Sequence, residues 1–345
     1  QSFEEIRFFA PPDLRVARFS DWETLIYDAF SPHQDIISER LRVLGAGSAE
    51  APDILIVPVT TLLFRLAPKD FISSHYLNLA VGQTASLSEL RQLLERSAYR
   101  PVETVSDRGE FAIRGAILDL FPMGHDAPYR VEWFDDEIES IRTFDPETQR
   151  SVDRVSEMQS LPAREFSLGK ESIRQFQNAW HERFGGQPKA CPIYQSISNG
   201  AAPAGIEYYL PLFFNQMATL FDYLSSNTLI VNEPLTDALQ AFYRDTEDRY
   251  ENLRYDIERP ILAPNELLLE EHELFERMAH YLRVDTAAGD RTKGLQFATD
   301  QAPNLAVDDQ SDPPFHRLRA CLEAVDRVLI AAESLGRREM IDGAL

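Results

Sequence analysis

The stretch that decides the fold is FAIRGAILDLFPMGHDAPYRVEWFDDEIESIR, residues 111–142. Short runs of aliphatic and aromatic residues alternate in it with groups of Gly, Pro and Asp, and this pattern predicts strand, turn, strand, turn and strand. Residues 143–155 continue it with a further turn and strand, and an amphipathic helix is predicted before it at 86–99. We therefore expect a small α+β unit built around one sheet.

The strand predicted after the turn at 122–128 carries an unusual outer face. Successive side chains of a strand point to opposite faces of the sheet. Val131 and Trp133 therefore pack on the core. Arg130, Glu132 and Phe134 lie on the outer face. Arginine and aromatic side chains are enriched at the anchor points of protein interfaces, so this face is either a binding surface or the outer side of an ordinary edge strand with one apolar residue.

The remaining sequence alternates helical and strand patterns, which is typical of an α/β fold. Helices are predicted in the second half of 21–44 and at 170–184, 235–256 and 265–282, and strands at 6–9, 13–19, 54–63, 228–233 and 327–333. The apolar runs at 54–63 and 228–233 predict buried strands. A last helix is predicted to start at Ser334.

Length, charge and cysteine content limit the classes of function. At 345 residues the chain is expected to form two or three domains. Its net charge of −22 repels phosphate, so the chain is a poor nucleic-acid binder unless a local basic patch overrides that charge. Cys191 and Cys321 give neither a disulfide framework nor a metal cluster, which fits the reducing cytoplasm.

Targeting signals are not recognisable in the sequence. The chain has no apolar run of about 18 residues, so no membrane span is predicted, and no signal peptide is predicted either. It begins with Gln1 rather than Met, and we expect it to be a piece of a longer protein.

No complete catalytic or nucleotide-binding motif is present. A phosphate-binding loop requires Gly-x4-Gly-Lys followed by Ser or Thr, but the chain's Gly169-Lys170 is followed by Glu171. The apolar run 229–231 ends at Asn232-Glu233, where a Mg²⁺ site would have Asp-Glu. This pair is either a nucleotide site that has lost its metal-binding charge or a chance similarity. We predict no catalytic residue and no metal ligand.

Several blocks together resemble one protein family. RGAILDLFPMG and YRVEWFDDEIESIRTFDPETQRS resemble the second domain shared by UvrB, the damage-verification helicase of nucleotide excision repair, and Mfd, the bacterial transcription-repair coupling factor. YDAFSPHQDIISERL, followed by ILIVPVTTLL, resembles the first domain of Mfd, and PAGIEYYLPLFF and LFDYLSSNTLIVNEP also fit. The sequence Asn-Glu-Pro-Leu at 232–235 is similar to the degenerate nucleotide site of the Mfd module, which does not hydrolyse ATP.

The resemblance implies an architecture. A degenerate RecA-like domain 1, of α/β class, would be formed by two segments, 1–75 and 163–345, and the small α+β domain 2 would be inserted at 76–162. The chain itself would need no cofactor. ATP and Mg²⁺ would belong to motor domains elsewhere in the full-length family members.

The resemblance also implies partners. In this family domain 2 recruits UvrA, and the implicated residues correspond by motif position to Arg114, Arg130 and Phe134. Glu132 and Arg142 are added by location. The arginines are expected to bind carboxylates of UvrA, and Phe134 to fill an apolar pocket. Alanine at Arg130 or Phe134 is expected to abolish binding and leave the fold intact.

Other partners and alternative functions follow from the same resemblance. Full-length members would also bind RNA polymerase and double-stranded DNA, with a C-terminal domain covering domain 2. The chain is expected to be a cytoplasmic monomer without catalytic activity. One alternative is an ATP-dependent helicase and damage-verification domain of UvrB type. Another is direct DNA binding by the RecA-like domain.

Overall fold

The computed structural model describes residues 2–47, 51–185, 188–286, 304–305, 316–323, 338–339 and 343. The chain divides into two compact units, Gln1–Ala287 and Ala288–Leu345. The strand predicted at 327–333 and the helix start predicted at 334 lie outside the described residues. No helix in the described ranges combines the length and the apolar character needed to cross a bilayer.

Five helices and ten strands occur in the described part of the first 160 residues. The helices are α1 (Ser2–Phe9), α2 (Gln34–Gly45), α3 (Val59–Leu62), α4 (Lys69–Ser74) and α5 (Leu87–Arg96). The strands are β1 (Val16–Arg18), β2 (Ile54–Ile56), β3 (Leu77–Ala80), β4 (Arg100–Pro101), β5 (Glu110–Arg114), β6 (Ile117–Leu120), β7 (Tyr129–Phe134), β8 (Glu137–Phe144), β9 (Ser151–Val155) and β10 (Glu157–Ser160).

Helices dominate the rest of the described chain. They are α6 (Lys170–Phe184), α7 (Pro192–Ser198), α8 (Leu220–Tyr223), α9 (Thr236–Leu253), α10 (Pro264–Leu267), α11 (Glu271–Met278) and α12 (His316–Glu323), with 3-10 helices at Pro188–Ala190 and Ile206–Phe213. Strands β11 (Leu229–Asn232) and β12 (Leu282–Asp285) pair in parallel. The mixture of helices and strands confirms the predicted α/β class, whereas the RecA-like arrangement and the limits of domain 2 stay predictions.

Three predicted elements differ from the structure. Residues 6–9 belong to helix α1, where acidic residues in the first turn and Arg7 in the last complement the helix dipole. The apolar run at 54–63 is a strand to Ile56, and α3 follows Pro58. The helix predicted at 265–282 is interrupted, because Leu269 N donates to Leu63 O (2.8 Å) and draws this part of the chain into an extended pairing.

The central sheet contains six strands in the order β4-β5-β6-β7-β8-β9. β4 and β5 are parallel, and the remaining neighbours are antiparallel. The tight turns use residues at positive φ, Gly115 (φ +61°) before β6 and Asp135 (φ +54°) before β8. β7 lies between β6 and β8, so its interpretation as an edge strand is wrong.

The two faces of this sheet are covered differently. The inner face joins the main core through fully buried side chains such as Val131 and Ile138, together with Leu94 of α5. At one end of the outer face a second, small apolar cluster forms under residues 102–108; it consists of Val105, Ala112, Phe121 and Phe144. Beyond that cluster the outer face carries charged side chains together with Phe134, and it contains the candidate site.

Candidate functional site

The strand register brings the five predicted site residues to one face of the sheet. Arg130 on β7 lies opposite Arg142 on β8 and opposite Asp119 on β6. Glu132 lies opposite Ile117, which is itself paired with Arg114 on β5, and Phe134 ends the same strand. We call this set, Arg114, Asp119, Arg130, Glu132, Phe134 and Arg142, the outer-face cluster.

Asp119 joins the two arginines. Its side chain is fully buried, and its Oδ1 and Oδ2 accept hydrogen bonds from Arg130 Nε (2.7 Å) and Arg130 Nη2 (2.9 Å). Oδ2 also accepts a hydrogen bond from Arg114 Nη2. An internal carboxylate therefore already holds both arginines, and their expected pairing with carboxylates of UvrA stays a prediction.

Further contacts hold Arg130 in one conformation. Its guanidinium carbon lies 4.9 Å from the centre of the Phe144 ring, and its Nη1 donates to Gln149 O (3.3 Å). The hydrogen bond to Asp119 raises the pKa of the Arg130 guanidinium above its ordinary value. The Arg130 side chain is 18% exposed, whereas that of Arg114 is 51% exposed. Arg114 is thus the arginine that reaches solvent.

Glu132 and Arg142 form a second ion pair on the same face. Arg142 Nη2 lies 3.2 Å from Glu132 Oε2, which also accepts a hydrogen bond from Ser140 Oγ (2.7 Å). Both side chains are more than two-thirds buried. They neutralise each other, so this pair separates the positive arginine group from Phe134 without adding net charge.

Phe134 is the exposed apolar member of the cluster. It is 70% exposed and is followed by the turn residue Asp135, whose positive φ ends β7 sharply. An aromatic ring has few rotatable bonds, so burying Phe134 against another protein would remove much apolar area from water at a small cost in conformational entropy. Aromatic and arginine side chains, such as Phe134 and the half-exposed Arg114 on the same face, are enriched at the anchor points of protein interfaces.

Asp119 was missed by the sequence-based prediction. It lies between Leu118 and Leu120 in an apolar strand, and a charge in that position is the one signal available in the sequence. Its partners depend on the register of β6 against β7, which the connection at 121–128 sets. That connection has no turn motif from which the register follows.

Glu110 anchors the covered end of the outer face. It is buried at the start of β5 and accepts hydrogen bonds from the backbone N–H groups of Ser106 and Asp107, both at 2.9 Å, and from Arg100. Burial acts to raise the pKa of the Glu110 carboxyl, but these hydrogen bonds outweigh it and hold the pKa below its ordinary value. The carboxylate form is therefore the one that the fold stabilises.

Glu110→Gln is expected to lower the free energy of unfolding by about 1–2 kcal/mol at neutral pH, because four donors, the Ser106 hydroxyl among them, lose a charged acceptor. The pKa of the Glu110 carboxyl is lower in the folded chain than in the unfolded chain. The ionised carboxyl therefore contributes its full stability above about pH 4.3, the ordinary pKa of Glu, and this contribution is lost as the pH falls through the pKa of the folded state. Urea denaturation of wild type and variant should therefore differ at neutral pH and converge in acid. Glu103→Gln, at an exposed position of the same loop, is the control. An equal difference at both pH values would contradict this account.

The predicted degenerate nucleotide site is built differently from a metal site. Asn232 ends β11, and its Nδ2 donates to Glu233 O (3.0 Å). Leu229 and Val231 are 48% and 61% exposed, so the prediction that this strand is buried is wrong. Within the described residues its partner is β12, which is exposed as well. The described residues contain no group of three His, Cys, Asp or Glu side chains placed to hold a metal ion.

Comparison with known proteins gives a consistent set of relatives. Residues 77–166 match the UvrB interaction domain family. The chain is 43% identical over 339 residues to the transcription-repair-coupling factor of Escherichia coli strain K12, a match that covers 95% of this chain and 29% of that protein. The corresponding factor of Haemophilus influenzae is 42% identical over 335 residues, covering 94% of this chain and 29% of that protein. That of Myxococcus xanthus is 34% identical over 216 residues, 61% of this chain and 18% of that protein.

Proposed function

Because this chain belongs to the family of transcription-repair-coupling factors as a UvrB-like N-terminal module, we propose that it recruits UvrA and so links stalled transcription to nucleotide excision repair. One observation carries the proposal. Phe134 is exposed on the same face of the sheet as two arginines that Asp119 holds in place, and all of them lie within the region that matches the UvrB interaction domain.

The outer-face cluster has the parts of a compact protein-binding site. Phe134 would fill an apolar pocket of UvrA and supply most of the binding free energy. Arg114, half exposed, would donate hydrogen bonds to carboxylates or carbonyls at the rim of that pocket. The pair Glu132–Arg142 would line the contact between them. Such a surface binds a partner, and no step of the proposal requires a reaction.

The proposal extends to the complete protein. The chain spans about 29% of the length of its relatives from Escherichia coli and Haemophilus influenzae. RNA polymerase and double-stranded DNA would bind other domains, ATP and Mg²⁺ would serve motor domains outside this chain, and a C-terminal domain would cover the outer face. The whole would act as a monomer in the cytoplasm.

A direct binding measurement tests the proposed function. The 345-residue chain is titrated with purified UvrA in a calorimeter, and saturable binding is expected. A fragment of residues 76–162 in the same experiment tests whether domain 2 is sufficient. An equal affinity would assign the whole site to domain 2, and a lower affinity would assign part of it to domain 1. Failure of the complete chain to bind UvrA would reject the proposal.

A UvrB-type helicase domain is the second candidate, and nucleotide binding separates the two. The Asn232 side chain donates to the neighbouring carbonyl and supplies no carboxylate for Mg²⁺, so millimolar ATP with Mg²⁺ is expected to leave the melting temperature unchanged. A ligand present at about 100 times its Kd would add about 2.7 kcal/mol to the stability and raise the melting temperature by several degrees. Such a rise would favour the helicase candidate.

Direct DNA binding is tested by a gel shift at increasing salt, where we expect no retarded complex at physiological ionic strength.

A further inference from the structure

We propose that Asp119 is the positioning residue of the UvrA-binding surface: together with Arg130 it holds Arg114 in the conformation in which Arg114 binds the partner. The inference rests on the proposed function and deepens it. Asp119 is fully buried and cannot itself contact UvrA. Any effect that it has on binding must therefore act through the two guanidinium groups that it holds.

The hydrogen bonds give the two arginines different roles. Arg130 gives Nε and Nη2 to Asp119 and Nη1 to Gln149 O, so three of its five N–H donors are used inside the chain. Arg114 contacts Asp119 through Nη2 and is half exposed. Arg130 thus fixes the orientation of the carboxylate, the carboxylate fixes Arg114, and Arg114 presents its remaining donors to the partner.

The advantage of this arrangement is entropic. A long side chain that is immobilised on binding lowers the affinity, and one that is already held in the unbound protein does not. Two arginines held by one carboxylate also keep a net charge of +1 on the face that carries Phe134. Loss of the carboxylate would leave more positive charge but less order. Weaker binding of UvrA after loss of the Asp119 carboxylate would show that the order of the arginine side chains matters more. Tighter binding would show that the positive charge matters more.

The test is a double-mutant cycle on the complete chain, with the Kd for UvrA as the measurement. Asp119→Asn is expected to weaken binding about tenfold, the effect of ordering one or two arginine side chains. In an Arg114→Ala background the same change should have an effect below about twofold, because the group that it positions is gone. In a Phe134→Ala background the tenfold effect should persist. A merely structural role would weaken binding equally in all three backgrounds.

Two controls make the cycle interpretable. Asp153→Asn makes the same chemical change at an exposed position of β9 and should leave the Kd unchanged. Nitrogen-15 relaxation of the arginine Nε–H groups in the unbound wild type needs no variant. It should show Arg114 and Arg130 ordered on the picosecond to nanosecond timescale.

The outcomes separate this inference from the proposed function. If the wild type fails to bind UvrA, the proposed function fails. If the wild type binds and Phe134→Ala weakens binding, but Asp119→Asn leaves the Kd unchanged or tightens it, the positioning role alone is overturned. Tighter binding would mean that Asp119 competes with carboxylates of UvrA for the arginines. A mobile Arg114 side chain in the unbound wild type would overturn the role as well.

Discussion

Phe134→Ala is expected to weaken UvrA binding about 30- to 700-fold and to leave the free energy of unfolding unchanged. The ring is 70% exposed in the chain, so its removal creates no cavity in the core. In the complex it would be the central aromatic anchor, and truncation of such an anchor costs about 2–4 kcal/mol of binding free energy. If Phe134 is an exposed anchor for UvrA, its truncation must both weaken binding strongly and leave the stability unchanged.

The same substitution elsewhere provides a matched control. Phe30 is 69% exposed and lies between β1 and α2, outside the region that matches the UvrB interaction domain. Phe30→Ala removes the same side chain from a similar environment and is expected to leave the Kd for UvrA unchanged. Calorimetric titrations and urea denaturation curves of both variants give the two quantities. Wild-type affinity in a folded Phe134→Ala variant would rule out the outer-face cluster as the docking site.

Arg130→Ala is expected to lower both the affinity for UvrA and the stability, and here the structure changes the prediction made from the sequence. The substitution leaves the carboxylate of Asp119 buried without its two-point partner, and breaking such a pair costs about 3 kcal/mol. It also removes the contact with the Phe144 ring. Binding should weaken at least tenfold, since Arg114 loses its fixed carboxylate. The variant is therefore a poor test of binding alone.

Two further variants test the ion pair between Arg130 and Asp119. Arg130→Lys keeps the positive charge but cannot form the planar two-point contact, so it should recover part of the stability and little of the affinity. Arg154→Ala, at an exposed position of β9, removes a charge without leaving a buried carboxylate and should stay within about 0.5 kcal/mol of wild type. Urea denaturation of Arg130→Ala indistinguishable from wild type would show that the ion pair with Asp119 contributes no net stability.

The face of the sheet was predictable from the sequence, whereas its internal pairing was not. Alternation with a period of two separated Val131 and Trp133 from Arg130 and Phe134, and burial follows this division in the structure. The partners across the sheet depend on register, and the link between β6 and β7 has no sequence motif that sets it. For this reason the buried carboxylate of Asp119, which decides what both arginines do, appeared only in the structure.

Helices were predictable where their ends carry their own signals. α6 spans residues 170–184 as predicted and ends at Gly185, which has φ +56°. α5 follows Ser86, whose side chain accepts a hydrogen bond from Glu89 N (3.4 Å). The continuous helix predicted at 265–282 was wrong because Leu269 pairs with Leu63, about 200 residues earlier in the chain. Local periodicity carries no information about such a long-range contact.

Asp135 and its neighbours have a consequence for the solution behaviour of the chain. An exposed aromatic ring at the end of a strand attracts other copies of the same molecule as readily as it attracts a specific partner. Phe134 is followed by Asp135, Asp136 and Glu137, all exposed, and the whole chain carries a net charge of −22. The negative charges of two molecules repel each other and keep their exposed strand ends apart at low ionic strength. The repulsion weakens as the Debye length falls to about 3 Å in 1 M salt. The acids beside Phe134 thus keep copies of the chain apart at low ionic strength, although the ring itself stays exposed.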